Sequence, residues 1–351
     1  MTGRWPAQWR SVNRLTTLAA RSSRPTARPT ARPAHEAAPE HGARGAAYPA
    51  AMRLGFIGTG NMGNPMATNL LRAGHSLTVT DVHREACENL LGAGATWAPD
   101  ARTVAEAATV TFMSLPTPPD VEAVVSGPDG VLAGAASGSV VVDLSTNSPT
   151  VVQALAAEAA TRQVGFLDAP VSGGVVGARK ATLAVMVGGD GALFEEVKPL
   201  LDCIGANVFH VGPVGTGNVA KLVNNMLAFI GMMGTIEALV LGAKAGVDPV
   251  ALRDIVAAGS GNSFVWGSGT RAILKDRLAP TFTTSLAAKD IGLATALAAQ
   301  LGVPVPMGER AQELILRFRD GDFAQEDVLA TVRAVEEQAG YVVRGQGIDR
   351  I

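Results

Sequence analysis

Three glycines, Gly58, Gly60 and Gly63, follow the short apolar run Arg53-Leu-Gly-Phe-Ile57 in the spacing G-x-G-x-x-G. An amphipathic segment runs from Asn64 to Ala73, and a second apolar run, Leu77-Thr-Val-Thr, ends in Asp81, eighteen residues beyond Gly63. The order reads strand, tight turn, helix, strand. A turn of this composition suits a pyrophosphate. Gly58 permits the bend, Gly60 lets the backbone approach the phosphates, and Gly63 lets the helix pack close to the sheet with its positive end toward them. Thr59, Asn61 and Met62 complete the turn and are read with it as dinucleotide-binding. A carboxylate at Asp81 can accept both ribose hydroxyls and would repel a 2′-phosphate, so it favours NAD over NADP. Arg84, three residues on, leaves some ambiguity. The glycines alone are weak evidence; the flanking strands, helix and acid make the assignment specific.

A second chemical candidate is Gly215-Thr-Gly217-Asn-Val-Ala-Lys221-Leu-Val-Asn224-Asn225. Lys221 and Asn225 are four apart and share one helix face among apolar neighbours. A lysine in the first turns of a helix meets the positive dipole end. Partial burial there would lower its pKa and suit it to proton transfer near neutrality. A solvated lysine on an exposed helix face has the same local sequence. In Asp168-Ala-Pro-Val-Ser172-Gly173-Gly174, a hydroxyl followed by two glycines presents backbone N–H groups to a carboxylate or other anion; a surface loop fits equally. Ala287-Ala-Lys289-Asp290 is either a cofactor or substrate contact or a surface ion pair.

The elements that must position these residues alternate. Strands are expected at 109–115, 139–145, 165–170, 181–187 and 207–211, with helices at 120–125 and 151–162 between them. Near-continuous apolar strands alternating with helices predict a largely parallel, doubly wound sheet covered on both faces. Ligands of such sheets lie beyond the carboxyl ends of the strands. Leu115 and Pro116 after the third strand, and Ser145 and Thr146 after the fourth, should therefore border the dinucleotide, although ordinary turn chemistry explains them too. Beyond residue 212 only helical periodicity remains: one long helix from Asn218 to Ala245, then helices near 249–257, 284–301, 306–319 and 325–336. The expected organisation is an extension at 1–51, a dinucleotide-binding domain at 52–214, an all-helical domain at 215–338 joined to it by the long helix, and a flexible tail at 339–351.

Composition bounds the class. The 351 residues carry a formal net charge of −2, which argues against nucleic acid as the main partner. Residues 1–51 hold eight Arg and two Glu with Arg-Pro-Thr repeats and no apolar face, so they are expected to be disordered. Their Arg content would suit a transit peptide, but their proline density opposes the amphipathic helix one needs. Met52 directly precedes the first strand, so the folded protein is expected to begin there. No uninterrupted apolar run of membrane-spanning length is seen; the most apolar segment, 226–241, carries Gly231, Gly234 and Glu237 and is read as a core helix. Two cysteines, Cys87 and Cys203, make a disulfide framework unlikely and fit a reducing cytoplasm, and the five histidines show no metal-binding spacing.

Taken in order, these segments resemble the β-hydroxyacid dehydrogenase family, and most closely its 3-hydroxyisobutyrate dehydrogenases, over about 52–330. Gly55-Phe-Ile-Gly-Thr-Gly-Asn-Met-Gly is similar to the family's cofactor signature, and Asp168-Ala-Pro-Val-Ser-Gly-Gly to its substrate segment. Gly215-x-Gly-x-x-x-Lys221-x-x-x-Asn225 is similar to its catalytic segment, and Ala288-Lys289-Asp290 to its C-terminal cofactor segment. The resemblance implies an NAD-dependent oxidation of a small β-hydroxy acid. It implies Lys221 as general acid/base, Ser172, Gly173 and Gly174 on the substrate carboxylate, Asn225 orienting the substrate, and Lys289 near the nicotinamide. It also implies a homodimer or homotetramer formed through the helices, while the composition above predicts no metal and no nucleic-acid or membrane partner. The compartment would be the cytoplasm, or the mitochondrial matrix if 1–51 is a transit peptide. Gly261-Asn262 stands where many 3-hydroxyisobutyrate enzymes carry Gly-Arg, which opens the substrate to alternatives such as tartronate or succinic semialdehyde. Imine reductases and catalytically dead dinucleotide-binding relatives generally lack the lysine present here.

Overall fold

The computed structural model describes residues 51–346. The expectations for 1–50 and for 347–351 lie outside the described residues. The chain order is β1 (Arg53–Ile57), α1 (Gly63–Arg72), β2 (Ser76–Thr80), α2 (Glu88–Gly92), β3 (Thr96–Trp97), α3 (Ala101–Ala107), β4 (Val110–Met113), α4 (Pro118–Ser126) and α5 (Val131–Gly134). It continues with β5 (Val140–Asp143), α6 (Pro149–Thr161), β6 (Gly165–Asp168), β7 (Val171–Ser172), α7 (Gly174–Lys180), β8 (Leu183–Gly188), α8 (Gly191–Leu201) and β9 (Gly205–Gly212). Helices follow: α9 (Thr216–Lys244), α10 (Pro249–Ala258), α11 (Phe264–Leu274), α12 (Thr284–Leu301), α13 (Pro306–Phe318) and α14 (Val332–Ala339).

The nine strands form one sheet in the order β3-β2-β1-β4-β5-β6-β8-β7, with β9 on β8. Strands β1 to β6 pair in parallel. β8 runs antiparallel to β6 and β7, and β9 is parallel to β8. Strand side chains alternate between two apolar layers, as the pleat requires. Phe56, Phe112, Val142 and Leu167 pack with Met66 and Leu70 of α1 and Val197 of α8. Ile57, Met113, Val141 and Phe166 pack on the other face with Val104 of α3, Val121 of α4 and Val152 of α6. The architecture is thus a doubly wound, mainly parallel sheet followed by an all-helical region.

That helical region is built around α9, whose Phe229, Met233, Ile236 and Val240 pack with Ile273 of α11, Ile291 of α12 and Ile315 of α13. By length and composition α9 could cross a membrane. Here it packs against other helices and buries Asn218, Lys221 and Asn225.

Several elements escape the sequence pattern. α11 carries Gly267 and Gly269, poor helix formers, and is held by Ser263, whose hydroxyl accepts from Trp266 N at 2.9 Å. α8 is started by Asp190, which caps Ala192 N and Leu193 N. The helix expected at 325–336 is instead a short 3₁₀ turn, Val328–Thr331, leading into α14. Asp327 explains the break: its carboxylate binds Thr281 N, Phe282 N and Leu329 N and so fixes the chain outside a helix at that point.

Candidate active site

Parallel register sets the frame. Ile57 pairs with Met113, Met113 with Asp143, and Asp143 with Asp168, so the loops leaving β1, β4, β5 and β6 start side by side. In the first loop Gly58 adopts φ +84°, a conformation that favours glycine, and its N–H bonds Thr80 O at 3.0 Å. A Cβ at Gly63 would overlap the carbonyl oxygen of Gly58, which is why α1 can approach the turn only with glycine there. At Gly60, by contrast, a Cβ would meet no atom of the described residues within 4 Å, so the turn is open among them. The first turn of α1 contains no acid to neutralise its dipole. Thr59, Gly60 and Asn61 line a cavity of about 520 Å³ that extends along α1 to Arg72 and Arg179. Asp81 stands at the end of β2, where Oδ2 accepts from Thr59 N at 2.7 Å and Oδ1 from His83 N at 2.9 Å. An open glycine turn, an uncompensated helix end and an adjacent carboxylate fit a dinucleotide. Gly60 and Asn61 are exposed and Met62 half-buried.

The neighbouring loops join this frame. Leu115 N donates to Ser145 Oγ at 2.9 Å, tying the loops after β4 and β5 together, with Pro116 exposed beside them. Thr146 is reached from the helical region: Lys289 Nζ donates to its carbonyl oxygen at 2.9 Å. The same ammonium lies 2.9 Å from Asp290 Oδ1, an ion pair without hydrogen-bond geometry. Asp290 Oδ2 in turn accepts from Asn225 Nδ2 at 2.7 Å. Asn224 Nδ2 reaches Asn225 Oδ1 at 3.1 Å and Ser172 Oγ at 3.3 Å. One chain of contacts therefore runs from Thr146 through α12 and α9 to Ser172. Gly173 and Gly174 follow Ser172 with φ of +132° and +63° and are exposed.

Lys221 is buried one turn before Asn225, with 8% of its surface exposed. Among the described residues no acid lies within ion-pair distance of its amine. Burial pushes its pKa down to about 8; the Asp290 carboxylate opposes that shift, and the Lys289 ammonium adds to it. A buried, unpaired amine that releases its proton near neutrality can exchange protons with a bound ligand. Among the described residues, no group of three or more His, Cys, Asp or Glu could hold a metal ion.

Sequence reasoning missed the polar groups behind this array. Asp168 and Asp143 are fully buried at the ends of β6 and β5. Asp143 accepts from Ser145 N at 2.9 Å and Asn147 Nδ2 at 3.4 Å. Desolvation raises its pKa to about 6, opposed by the bonds from Ser145 and Asn147 and reinforced by the Asp168 charge. An acid closing each of two apolar strands, Val-Val-Val-Asp and Gly-Phe-Leu-Asp, was the available signal.

The comparisons with known proteins agree with this geometry. Residues 53–212 match the model of the NAD-binding domain of 6-phosphogluconate dehydrogenase, and 215–335 that of the NAD-binding region of NADP-dependent 3-hydroxyisobutyrate dehydrogenase. A 3-hydroxyisobutyrate dehydrogenase of Pseudomonas aeruginosa is 40% identical over 280 residues, 78% of this chain and 94% of that protein. A 2-hydroxy-3-oxopropionate reductase of Escherichia coli is 39% identical over 290 residues, 83% of this chain and 99% of that one. The crystal structure of a 3-hydroxyisobutyrate dehydrogenase from Salmonella typhimurium superposes with a TM-score of 0.75 at 30% identity, covering 81% of this chain and 99% of its own. The chain belongs to the β-hydroxyacid dehydrogenases, as an NAD(P)-dependent hydroxyacid dehydrogenase with NAD as cofactor, close to those of 3-hydroxyisobutyrate.

Proposed function

We propose that the enzyme oxidises 3-hydroxyisobutyrate to methylmalonate semialdehyde with NAD, and that Lys221 is its general acid/base. The observation carrying this reading is the buried Lys221 amine, with its pKa lowered to about 8 and no carboxylate paired to it among the described residues. Bound NAD supplies the acceptor for the hydride leaving the substrate carbon. The neutral Lys221 amine takes the hydroxyl proton, so the carbinol becomes a carbonyl as its C–H bond breaks. Ser172, with the exposed backbone of Gly173 and Gly174, holds the substrate carboxylate. Asn225 has one Nδ2 hydrogen beyond its bond to Asp290 and offers it to the substrate. Lys289, tethered to Thr146, flanks the nicotinamide end. Gly58 to Gly63, Leu115 and Pro116 carry the remainder of the dinucleotide, and Asp81 sets a preference for NAD.

In this reading residues 52–214 serve as the dinucleotide-binding domain and 215–338 as the substrate domain. The enzyme acts in the cytoplasm as a homodimer or homotetramer. Exposed Val223, Leu227 and Leu241 on α9 offer apolar surface for that assembly.

A second substrate reading has its own support. Asn262 is exposed in the turn between α10 and α11, and no arginine stands there to meet a substrate group. The Escherichia coli relative named for 2-hydroxy-3-oxopropionate is as similar as the one named for 3-hydroxyisobutyrate. Steady-state turnover of 3-hydroxyisobutyrate, glycerate, serine and 4-hydroxybutyrate with NAD and NADP separates these. The highest kcat/KM on 3-hydroxyisobutyrate with NAD supports the first reading; the highest on glycerate replaces it with the second.

A further inference from the structure

Asp168 is buried, charged in kind and outside the chemistry assigned above, yet it touches the start of the helix that carries Lys221. Its Oδ1 accepts from Gly215 N at 2.7 Å. Its Oδ2 accepts from Asn218 N at 2.8 Å and from Asn218 Nδ2 at 3.1 Å. Asn218 is itself fixed from the other side, since its Oδ1 accepts from Asn147 N at 2.7 Å. Thus the loop after β5, the end of β6 and the first turn of α9 are locked through one carboxylate and one amide. There is no slack around it. A Cβ on Gly217 would meet Asp168 O at 2.6 Å and Asp168 Oδ2 at 2.9 Å, so two glycine-permitted approaches, at Gly217 and Gly188, seat the helix against the carboxylate. Gly215 takes φ +95° to turn the chain into the helix at this point.

Orphan N–H groups of a first helical turn need acceptors, and a carboxylate placed there is also favoured by the helix dipole. Three donors on one buried carboxylate make a charge-assisted anchor, not a loose cap. Lys221 is three residues beyond Asn218, on the same rigid turn. Ser172 is four residues beyond Asp168 on the chain that leaves β6. The carboxylate therefore sits where the proton-transfer group and the anion-holding segment diverge.

We propose that Asp168 is a positioning residue, which fixes the first turn of α9 and thereby sets the burial of Lys221 and its distance from the segment Ser172–Gly174. The proposal rests on the reading of Lys221 as general acid/base. In Asp168→Asn the amide NH₂ faces a backbone N–H, so at least one of the three bonds is lost and the turn shifts. Misplacement on the scale of an ångström can cost about 10²-fold in rate. Loosening the turn lets water reach the amine and raises the Lys221 pKa toward its ordinary value, whereas a turn left in place keeps it where burial holds it. The charged groups acting on Lys221 from α12, Asp290 and Lys289, are unchanged in this variant.

The test is the pH dependence of kcat/KM for oxidation, with NAD saturating, in wild type, Asp168→Asn and Lys221→Ala. The expected result for Asp168→Asn is a kcat about 10- to 100-fold lower, an unchanged NAD Kd, and an ascending limb moved to higher pH. An unchanged kcat, or a limb that stays or moves to lower pH, overturns the proposal. If Asp168→Asn does not fold, Asn218→Ala, which keeps the backbone donors and the carboxylate, must show the same direction of shift, and its absence overturns the proposal. Full turnover in Lys221→Ala overturns the reading of Lys221 instead, so the two failures are distinguishable.

Discussion

Thr59 and Asp81 are joined across the cofactor turn: the Thr59 N–H donates to Asp81 Oδ2 at 2.7 Å. The carboxylate thus stiffens the glycine turn, and under the proposed function the same residue also meets the ribose and sets cofactor choice. A 2′-phosphate would meet this charge without a dedicated partner. Arg84, three residues beyond Asp81, is exposed and lies over the Trp97 ring, 5.4 Å from its centroid.

The ratio of kcat/KM for NAD over NADP should therefore exceed one in wild type and fall about tenfold or more in Asp81→Asn, the worth of about 1.4 kcal/mol. Asp81→Ala should also weaken NAD itself, because Thr59 loses its acceptor. Wild-type kinetics favouring NADP would contradict the account of Asp81.

Lys221 should give the oxidation reaction its ascending pH limb. The amine must be neutral to accept the hydroxyl proton, and burial sets its pKa at about 8. So kcat/KM should rise as pH increases through about 8, and the reduction direction should fall over the same window. Lys221→Arg should not restore activity at any pH, because a guanidinium stays protonated.

Asp143 makes a prediction about stability alone. Its folded pKa is raised to about 6 from the usual carboxylate value. Between roughly pH 4 and 6 the folded protein holds a proton that the unfolded chain has lost, so Asp143's contribution to stability falls as pH rises. Two pKa units correspond to a loss on the order of 3 kcal/mol by pH 7. Asp143→Asn keeps an acceptor for Ser145 N without the buried charge. Denaturant unfolding should show its stability relative to wild type improving from pH 4.5 to pH 7. A relative stability that worsens over that range would show that the ionised carboxylate is needed there.

The parts legible in the sequence were those with short-range signatures. Gly58, Gly60 and Gly63 lie within six residues, and their backbone requirements are local. Lys221 and Asn225 are one turn apart, so helical periodicity alone puts them on one face. The long apolar strands announced a sheet buried on both sides. What stayed hidden depends on distant partners. Asp168 binds Gly215 and Asn218, and Asn147 binds Asn218; these contacts arise only when β5, β6 and α9 meet. Asn224 was passed over beside Asn225, though it is the residue that reaches Ser172. α11 was obscured by its glycines, whose helical state comes from packing and a Ser263 cap rather than from propensity.

The most direct test of the central claim is turnover and NAD binding in Lys221→Ala. Its side chain donates to no cofactor-loop residue, and the dinucleotide turn lies in a different segment, so the NAD Kd should stay within about threefold of wild type, less than 1 kcal/mol. The kcat for oxidation should fall by about 10²–10⁴-fold, the usual worth of a positioned proton-transfer group. Near-normal kcat in a folded Lys221→Ala that binds NAD would contradict the account.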